Sequence, residues 1–190
     1  MILGIIPARQ NSRRLPGKNT RMLCGKPLIA WTIEAALTCG ALDEVLVSSD
    51  DPAVRDIAEQ WGVYAPGRPD FLATDTASIY DVVRYHLKHG MRADHVMLLQ
   101  PTSPLRTAED IDTFVQLALL EPAPVHSCAL GELKANGAIY LAAMADWRNR
   151  DFNFDTTAHR IYMDPARSID INTLEDFEAA ERYMREHGWA

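Results

Sequence analysis

The sequence predicts an α/β protein, a three-layer sandwich with a mostly parallel sheet at its centre. Three observations carry that expectation. Short apolar runs alternate with amphipathic stretches, the pattern of strands joined by helices on both faces of a sheet. Helix-entry signals stand just ahead of amphipathic stretches, as at Asp51-Pro52, Thr107 with Asp110, and Thr173 with Asp176. The polar residues gather in the loops that follow strands, where sheets of this kind place their ligands. A chain of 190 residues is expected to form one domain, 1–190. With 47% hydrophobic and 24% charged residues it reads neither as disordered nor as a small disulfide scaffold. No apolar run approaches the roughly 20 residues that span a bilayer.

The elements follow in order. Ile2–Ile6 reads as a buried strand rather than a signal core, because no basic leader precedes it and Pro7 and Arg9 follow at once. Residues 7–26 form a long polar loop. Pro27 suits the first turn of a helix whose apolar face is Leu28, Trp31, Ala35 and Ala36, with Gly40 as its stop. Glu44–Ser48 is the second strand. Asp51 caps a helix that runs to about Gly62. After the irregular stretch 65–75, residues 76–89 look helical, with Ile79, Val82, Val83 and Leu87 inward; His86 and His89 are assigned to the solvated side. Val96–Leu99 is a buried strand, and Thr107 caps the next helix. Val125–Leu130 and Ala138–Ala142 are further strands. Thr173 and Asp176 open a last helix to about His187.

Charge is unevenly placed. The net charge is −7, so a nucleic-acid partner is not expected. Yet residues 1–26 hold six of the 19 basic side chains, Arg9, Arg13, Arg14, Lys18, Arg21 and Lys26, and none of the 26 acidic ones. A cationic patch on an anionic body suits a small anion such as a nucleotide. A solvated basic loop gives the same pattern, and charge alone does not separate the two. The loop lacks both the Gly-x4-Gly-Lys phosphate motif and the Gly-x-Gly dinucleotide fingerprint. It still offers backbone N–H groups for an anion nest, Arg9 and Lys18 for phosphate, Asn19 for a base or ribose, and Gly17 for a positive φ. Cys24, Cys39 and Cys128 match no zinc or disulfide spacing and suit a reducing cytoplasm.

Residues 5–19 resemble the opening motif of the acylneuraminate cytidylyltransferase family, the CMP-sialic acid synthetases. The likeness continues through Gly25-Lys-Pro-Leu-Ile-Ala-Trp-Thr-Ile-Glu34, Val47-Ser-Ser-Asp-Asp51 and Arg68-Pro-Asp-Phe-Leu-Ala-Thr-Asp75. It extends through Leu98-Leu-Gln-Pro-Thr-Ser-Pro-Leu-Arg106, Asn136-Gly-Ala-Ile-Tyr140 and Asp170-Ile-Asn-Thr-Leu-Glu-Asp-Phe177. The resemblance implies a nucleotide-diphospho-sugar transferase-like fold. It also implies Mg²⁺-dependent transfer of CMP from CTP to the anomeric hydroxyl of a sialic-acid-like 2-keto-3-deoxy acid, with release of pyrophosphate. It assigns Arg9, Ser12, Lys18, Asn19, Arg68 and Ser78 to the nucleotide, and Gln100, Arg106 and Tyr140 to the acceptor. Arg9, Lys18 and Asp170 become the catalytic set, and Asp170 with Asn172 the Mg²⁺ ligands. Alternation along an extended segment puts 170 and 172 on one face. Where family members have Asp-Ile-Asp, this chain reads Asp170-Ile171-Asn172, which keeps an oxygen ligand but drops a charge. Asp75 is assigned to capping the following helix, and Asp50 is a lower-ranked metal ligand.

Only 29 residues separate Arg106 from Asn136. In the sialate enzymes this interval is longer and carries a protruding dimerisation element that reaches the partner's sugar site. Glu132-Leu-Lys-Ala135 replaces the usual Arg-Gln-x-x-Pro lead-in. The nucleotide half therefore reads as complete and the acceptor half as reduced, which leaves room for a homodimer of smaller or different interface. Two further functions stay open: a cytidylyltransferase for another acid, an octulosonate or a phosphonate, and a catalytically silent CTP- or CMP-binding homologue. No membrane partner is expected.

Overall fold

The structure, a computed structural model, describes residues 1–120, 123–132 and 134–189. In chain order the strands are β1 Ile2–Pro7, β2 Met22–Leu23, β3 Lys26–Pro27, β4 Glu44–Ser48, β5 His95–Leu99, β6 Val125–Ala129, β7 Ala135–Ala143 and β8 His159–Met163. The helices are α1 Leu28–Thr38, α2 Pro52–Gln60, α3 Ile79–Lys88, α4 Ala108–Leu120, α5 Met144–Arg148, α6 Phe154–Thr157 and α7 Leu174–Glu186. Six strands form one sheet in the order β4-β1-β5-β7-β6-β8, and β2 pairs with β3 in a small hairpin. β1 pairs parallel with β4 and β5, and β8 pairs parallel with β6. β7 runs against β5 and β6, so it is the one reversed strand of this sheet. The short 130–134 connection explains the reversal, because a link of that length permits a hairpin but no crossover.

Alternation on the strands builds two cores. Ile6, Val47, Met97 and Leu99 face one way, against Ile29, Ile33, Ile111 and Phe114 of α1 and α4. Leu3, Ile5, Leu46, Val96 and Leu98 face the other, against Val83 and Leu87 of α3 and the aromatic group Trp147, Phe152 and Phe154. Burying each such side chain contributes about 1.5–3 kcal/mol. The fully buried Trp147 satisfies its indole N–H on the Val96 carbonyl at 3.0 Å. A third cluster, Leu15, Leu23, Leu28, Trp31, Leu105, Ile171 and Phe177, packs the basic loop and α7 onto the end of the sheet.

Several boundaries move. The strand expected at 138–142 runs from Ala135 to Ala143, and β6 stops at Ala129 with Leu130 exposed. The helix expected from residue 76 begins at Ile79, where the Ser78 side chain accepts the Tyr80 N–H at 3.2 Å. The Asp51 cap and the Thr173/Asp176 capping box form as expected. Strand β8 went unread, because its pairing with distant β6 rather than its own pattern makes it a strand. Among the described residues no helix is long and apolar enough to cross a membrane.

Candidate functional site

The register aligns Pro7 with Ser48, and Ile5 with Leu98, so the carboxyl ends of β1, β4 and β5 open on one edge. Leu99 pairs with Ile139, which brings the start of β7 to the same edge. The loop after β1 is held here by anchors of different kinds. Ala8 donates its N–H to the Ser48 carbonyl at 2.9 Å, and Gln10 donates its N–H to Asp50 Oδ1 at 2.9 Å. Leu15 is buried in the third cluster. Gly17 adopts φ 65°, a left-handed conformation that glycine tolerates, and starts a 3₁₀ turn over Lys18–Thr20. That turn aims Lys18 and Asn19 inward. Asn19 donates to the Arg9 carbonyl at 3.1 Å and closes the loop into a ring. Lys18 Nζ donates to the Ile171 carbonyl at 2.6 Å.

These elements surround a cavity of about 580 Å³, within the range of small-molecule sites. Of the expected nucleotide residues, Arg9, Ser12, Lys18, Asn19 and Arg68 line it, and so do Gln100, Asp170 and Asn172. Its walls are strongly cationic. Burial, opposed by the nearby Asp170 carboxylate, lowers the Lys18 ammonium pKa from its ordinary value. Burial also pushes Arg68 down to about 10, still above neutral pH. Asp75, assigned from sequence to a helix cap, instead lines the cavity. It accepts from Arg9 Nη1 at 2.6 Å and pairs with Arg13, while Ser78 does the capping. No local sequence signal marks this role, because Arg9 lies 66 residues away in the chain. Arg13 and Arg14, left without a role by the sequence, also line the cavity.

Residues 170–172 run extended along the cavity floor. Ile171 is fully buried, its N–H bound to the Thr102 carbonyl at 2.7 Å, and the flanking residues face the opening. Asn172 bridges two charges: it accepts from Arg14 Nη2 at 2.6 Å and donates to Asp170 Oδ2 at 2.6 Å. Asp170 Oδ1 is buried and without a hydrogen-bond partner. The orphaned carboxylate oxygen fits a hard divalent cation, and the Asn172 carbonyl oxygen could join it as a ligand only by releasing Arg14. Among the described residues no group of three or more His, Cys, Asp or Glu side chains is disposed to hold a metal alone. Such an ion would therefore share its coordination with the ligand's oxygens. Asp50 does not line the cavity, and its Oδ1 accepts the Gln10 N–H.

Three expected site residues lie elsewhere. Ser78 does not line the cavity; it caps α3. Arg106 is 1% exposed and donates from Nη1 to the Ala138 carbonyl at 2.7 Å and to the Gln100 carbonyl at 3.4 Å. It ties the end of β5 to β7 through those carbonyls, and its Nε and Nη2 are buried without a hydrogen-bond partner. Tyr140 packs against Phe154 at 5.1 Å between ring centres, and burial pushes its hydroxyl up to about 12. The solvated assignment of His86 is also corrected. It is 4% exposed, with Nε2 2.8 Å from Ser48 Oγ. Its spacing from Val82, Val83 and Ile79 fits the buried helix face and was the sequence signal for this. Gly137 was not singled out either. Its φ of 86° favours glycine, and an added Cβ would stand in van der Waals contact with Gln100 Oε1 at 3.4 Å.

A family model described as Cytidylyltransferase matches residues 3–187. The chain is 36% identical to a CMP-N,N'-diacetyllegionaminic acid synthase of Legionella pneumophila, covering 96% of each. That alignment extends over 222 positions, more than the 190 residues here, so the relative carries stretches this chain lacks. An N-acylneuraminate cytidylyltransferase of Escherichia coli is 32% identical over 94% of this chain, which spans 51% of that longer protein. Among solved structures, a CMP:2-keto-3-deoxy-manno-octonic acid synthetase complexed with CTP superposes with a TM-score of 0.77 at 20% identity, over 98% of this chain and 99% of that one. At that identity the likeness concerns the fold.

Proposed function

The chain belongs to the cytidylyltransferase family, and on that premise we propose that it transfers CMP from CTP to the anomeric hydroxyl of a sialic-acid-like nonulosonate. Pyrophosphate is the second product. One observation carries the reading: Arg9, Lys18, Asn19 and Arg68 converge on a cavity that also contains Gln100 and Asp170. The relatives named for sialate-type sugars support the choice of acceptor.

The anomeric hydroxyl oxygen attacks the α-phosphorus in line, its proton passes to solvent, and the bond from the α-phosphorus to the bridging oxygen breaks so that pyrophosphate leaves. Positioning and charge neutralisation supply most of the catalysis of such a step. Lys18, held on the Ile171 carbonyl, and Arg9, exchanging Asp75 for phosphate, neutralise the triphosphate. Asn19 and Ser12 add hydrogen bonds, and Arg68 holds the nucleotide at the β4 edge. Gln100 orients the acceptor. Asp170 and Asn172 would hold Mg²⁺, which supplies further charge neutralisation at the phosphates when bound. The three cysteines are free, and this suits a reducing cytoplasm.

The test is pyrophosphate release from CTP against the other nucleoside triphosphates, with a panel of nonulosonates, an octulosonate and a phosphonate as acceptors. Turnover with CTP and a nonulosonate is expected. Preference for the octulosonate or phosphonate reassigns the acceptor, and CTP binding without turnover marks a silent nucleotide-binding protein.

A further inference from the structure

A buried polar chain runs from α3 to the cavity wall. His86, on the helix face that buries Val82, Val83 and Leu87, places Nε2 2.8 Å from Ser48 Oγ at the end of β4. Arg68 donates to that same Oγ from Nε at 3.3 Å, and from Nη2 to the Ser48 carbonyl at 2.7 Å. Its backbone N–H is fixed on the Ser49 carbonyl at 2.9 Å. All three side chains are buried, and only Arg68 reaches the cavity.

The direction of the bond from Arg68 follows from chemistry: a guanidinium donates and never accepts, so Ser48 Oγ is the acceptor. The hydroxyl keeps its proton and a second lone pair, and it donates to His86 Nε2 when the imidazole is neutral and protonated at Nδ1. Burial, reinforced by the positive Arg68 and by His89, pushes His86 down to about 4, so the imidazole is neutral at neutral pH.

We propose that His86 is a positioning residue for the nucleotide site: through the Ser48 hydroxyl it fixes the Arg68 guanidinium with its remaining N–H groups turned to the ligand. Without the imidazole acceptor the hydroxyl rotates to another partner, and its lone pair is no longer aimed at Arg68 Nε. Arg68 then binds CTP from a wider set of orientations, and affinity falls. The inference rests on Arg68 contacting CTP, as the proposed function has it.

Calorimetry of CTP binding to the full chain, with Mg²⁺ present, tests both together. The variants are Arg68→Ala, Ser48→Ala, His86→Leu, His86→Gln and the pair Arg68→Ala with His86→Leu. Ser48→Ala and His86→Leu are each expected to weaken CTP roughly tenfold. His86→Gln, whose carbonyl oxygen can replace Nε2 as acceptor, recovers most of that loss. In the Arg68→Ala background, His86→Leu changes affinity less than about twofold, because its effect runs through Arg68. A packing role would lower the melting midpoint of His86→Leu and His86→Gln alike and leave CTP affinity at its parental value. Ser48→Ala removes one oxygen only and decides the matter should His86→Leu not fold. Parental affinity in Ser48→Ala and His86→Leu, beside a weakened Arg68→Ala, overturns this inference alone. Parental affinity in Arg68→Ala removes the nucleotide role of Arg68 and the inference with it.

Discussion

Lys18 and Asp170 face each other across the candidate site, and each is held by a group outside its own segment. The Lys18 ammonium sits on the Ile171 carbonyl, between the loop after β1 and the segment before α7. Burial lowers its pKa from the ordinary value, and the Asp170 carboxylate opposes that fall. Lys18→Ala is expected to cost about 1.5–3 kcal/mol of CTP binding, the worth of a charge-assisted contact. Its melting midpoint should stay within a few degrees of the parent, and calorimetry with CTP checks the affinity. Asp170 has one free oxygen and one taken by the Asn172 amide. Asp170→Asn should abolish most activity. Asn172→Asp should preserve or lower the Mg²⁺ midpoint, because it restores a second carboxylate. A Mg²⁺ titration of initial rates reads both, and unchanged midpoints in the two variants would remove this segment from the metal site.

At the scale of the element, two pieces of regular structure carry site residues into place. Helix α3 buries His86 with a pKa far below the ordinary 6.5, near 4. The unfolded chain therefore binds the extra proton throughout that interval. Stability should be full above about pH 6.5 and fall as the pH drops towards 4, by up to about 3 kcal/mol. Thermal melts across that range should show a shallower slope in His86→Gln than in the parent. Strand β7 passes Gln100 at Gly137, where φ is 86° and an added Cβ meets the glutamine amide. Gly137→Ala should cost about 1–2 kcal/mol of backbone strain, and the shift of β7 that relieves it should disturb Gln100, which the new Cβ touches at ordinary contact distance. Its KM for the acceptor should rise while CTP affinity stays near the parental value, as steady-state rates at saturating CTP will show. Equal KM for the acceptor in both proteins would detach Gln100 from acceptor binding.

Across the whole molecule, the site is a seam between distant segments: residues 7–19, 68–82, 100–102 and 170–172 meet at one edge of the sheet. The interval from Arg106 to Asn136 holds α4 and β6 and lacks room for a long protrusion. Each chain is accordingly expected to build its own acceptor pocket. Specific activity should stay constant on dilution through any dissociation seen by sedimentation, and specificity constants for several nonulosonates should lie within about tenfold of one another. Activity that falls as a dimer separates would show that the neighbouring chain completes the site.

What the sequence determined by itself was local. The order of β1, α1, β4, α2, α3, β5, α4, β6, β7 and α7, the Asp51 and Thr173 caps, the left-handed Gly17 and the shared face of residues 170 and 172 all follow from short-range rules of period and backbone conformation. The family resemblance rested on the same short motifs. Tertiary structure decided which side chains reach the cavity. Arg68 and Arg106 look alike as arginines near prolines, yet Arg68 lines the wall while Arg106 is buried on the Gln100 and Ala138 carbonyls. Asp75 turned from a cap to a partner of Arg9, and His86 from solvent to core. The physical reason is common to all of them. A polar side chain goes where packing of non-adjacent elements leaves it a partner, and that partner is fixed only once the sheet is assembled and the third hydrophobic cluster has drawn the basic loop onto α7.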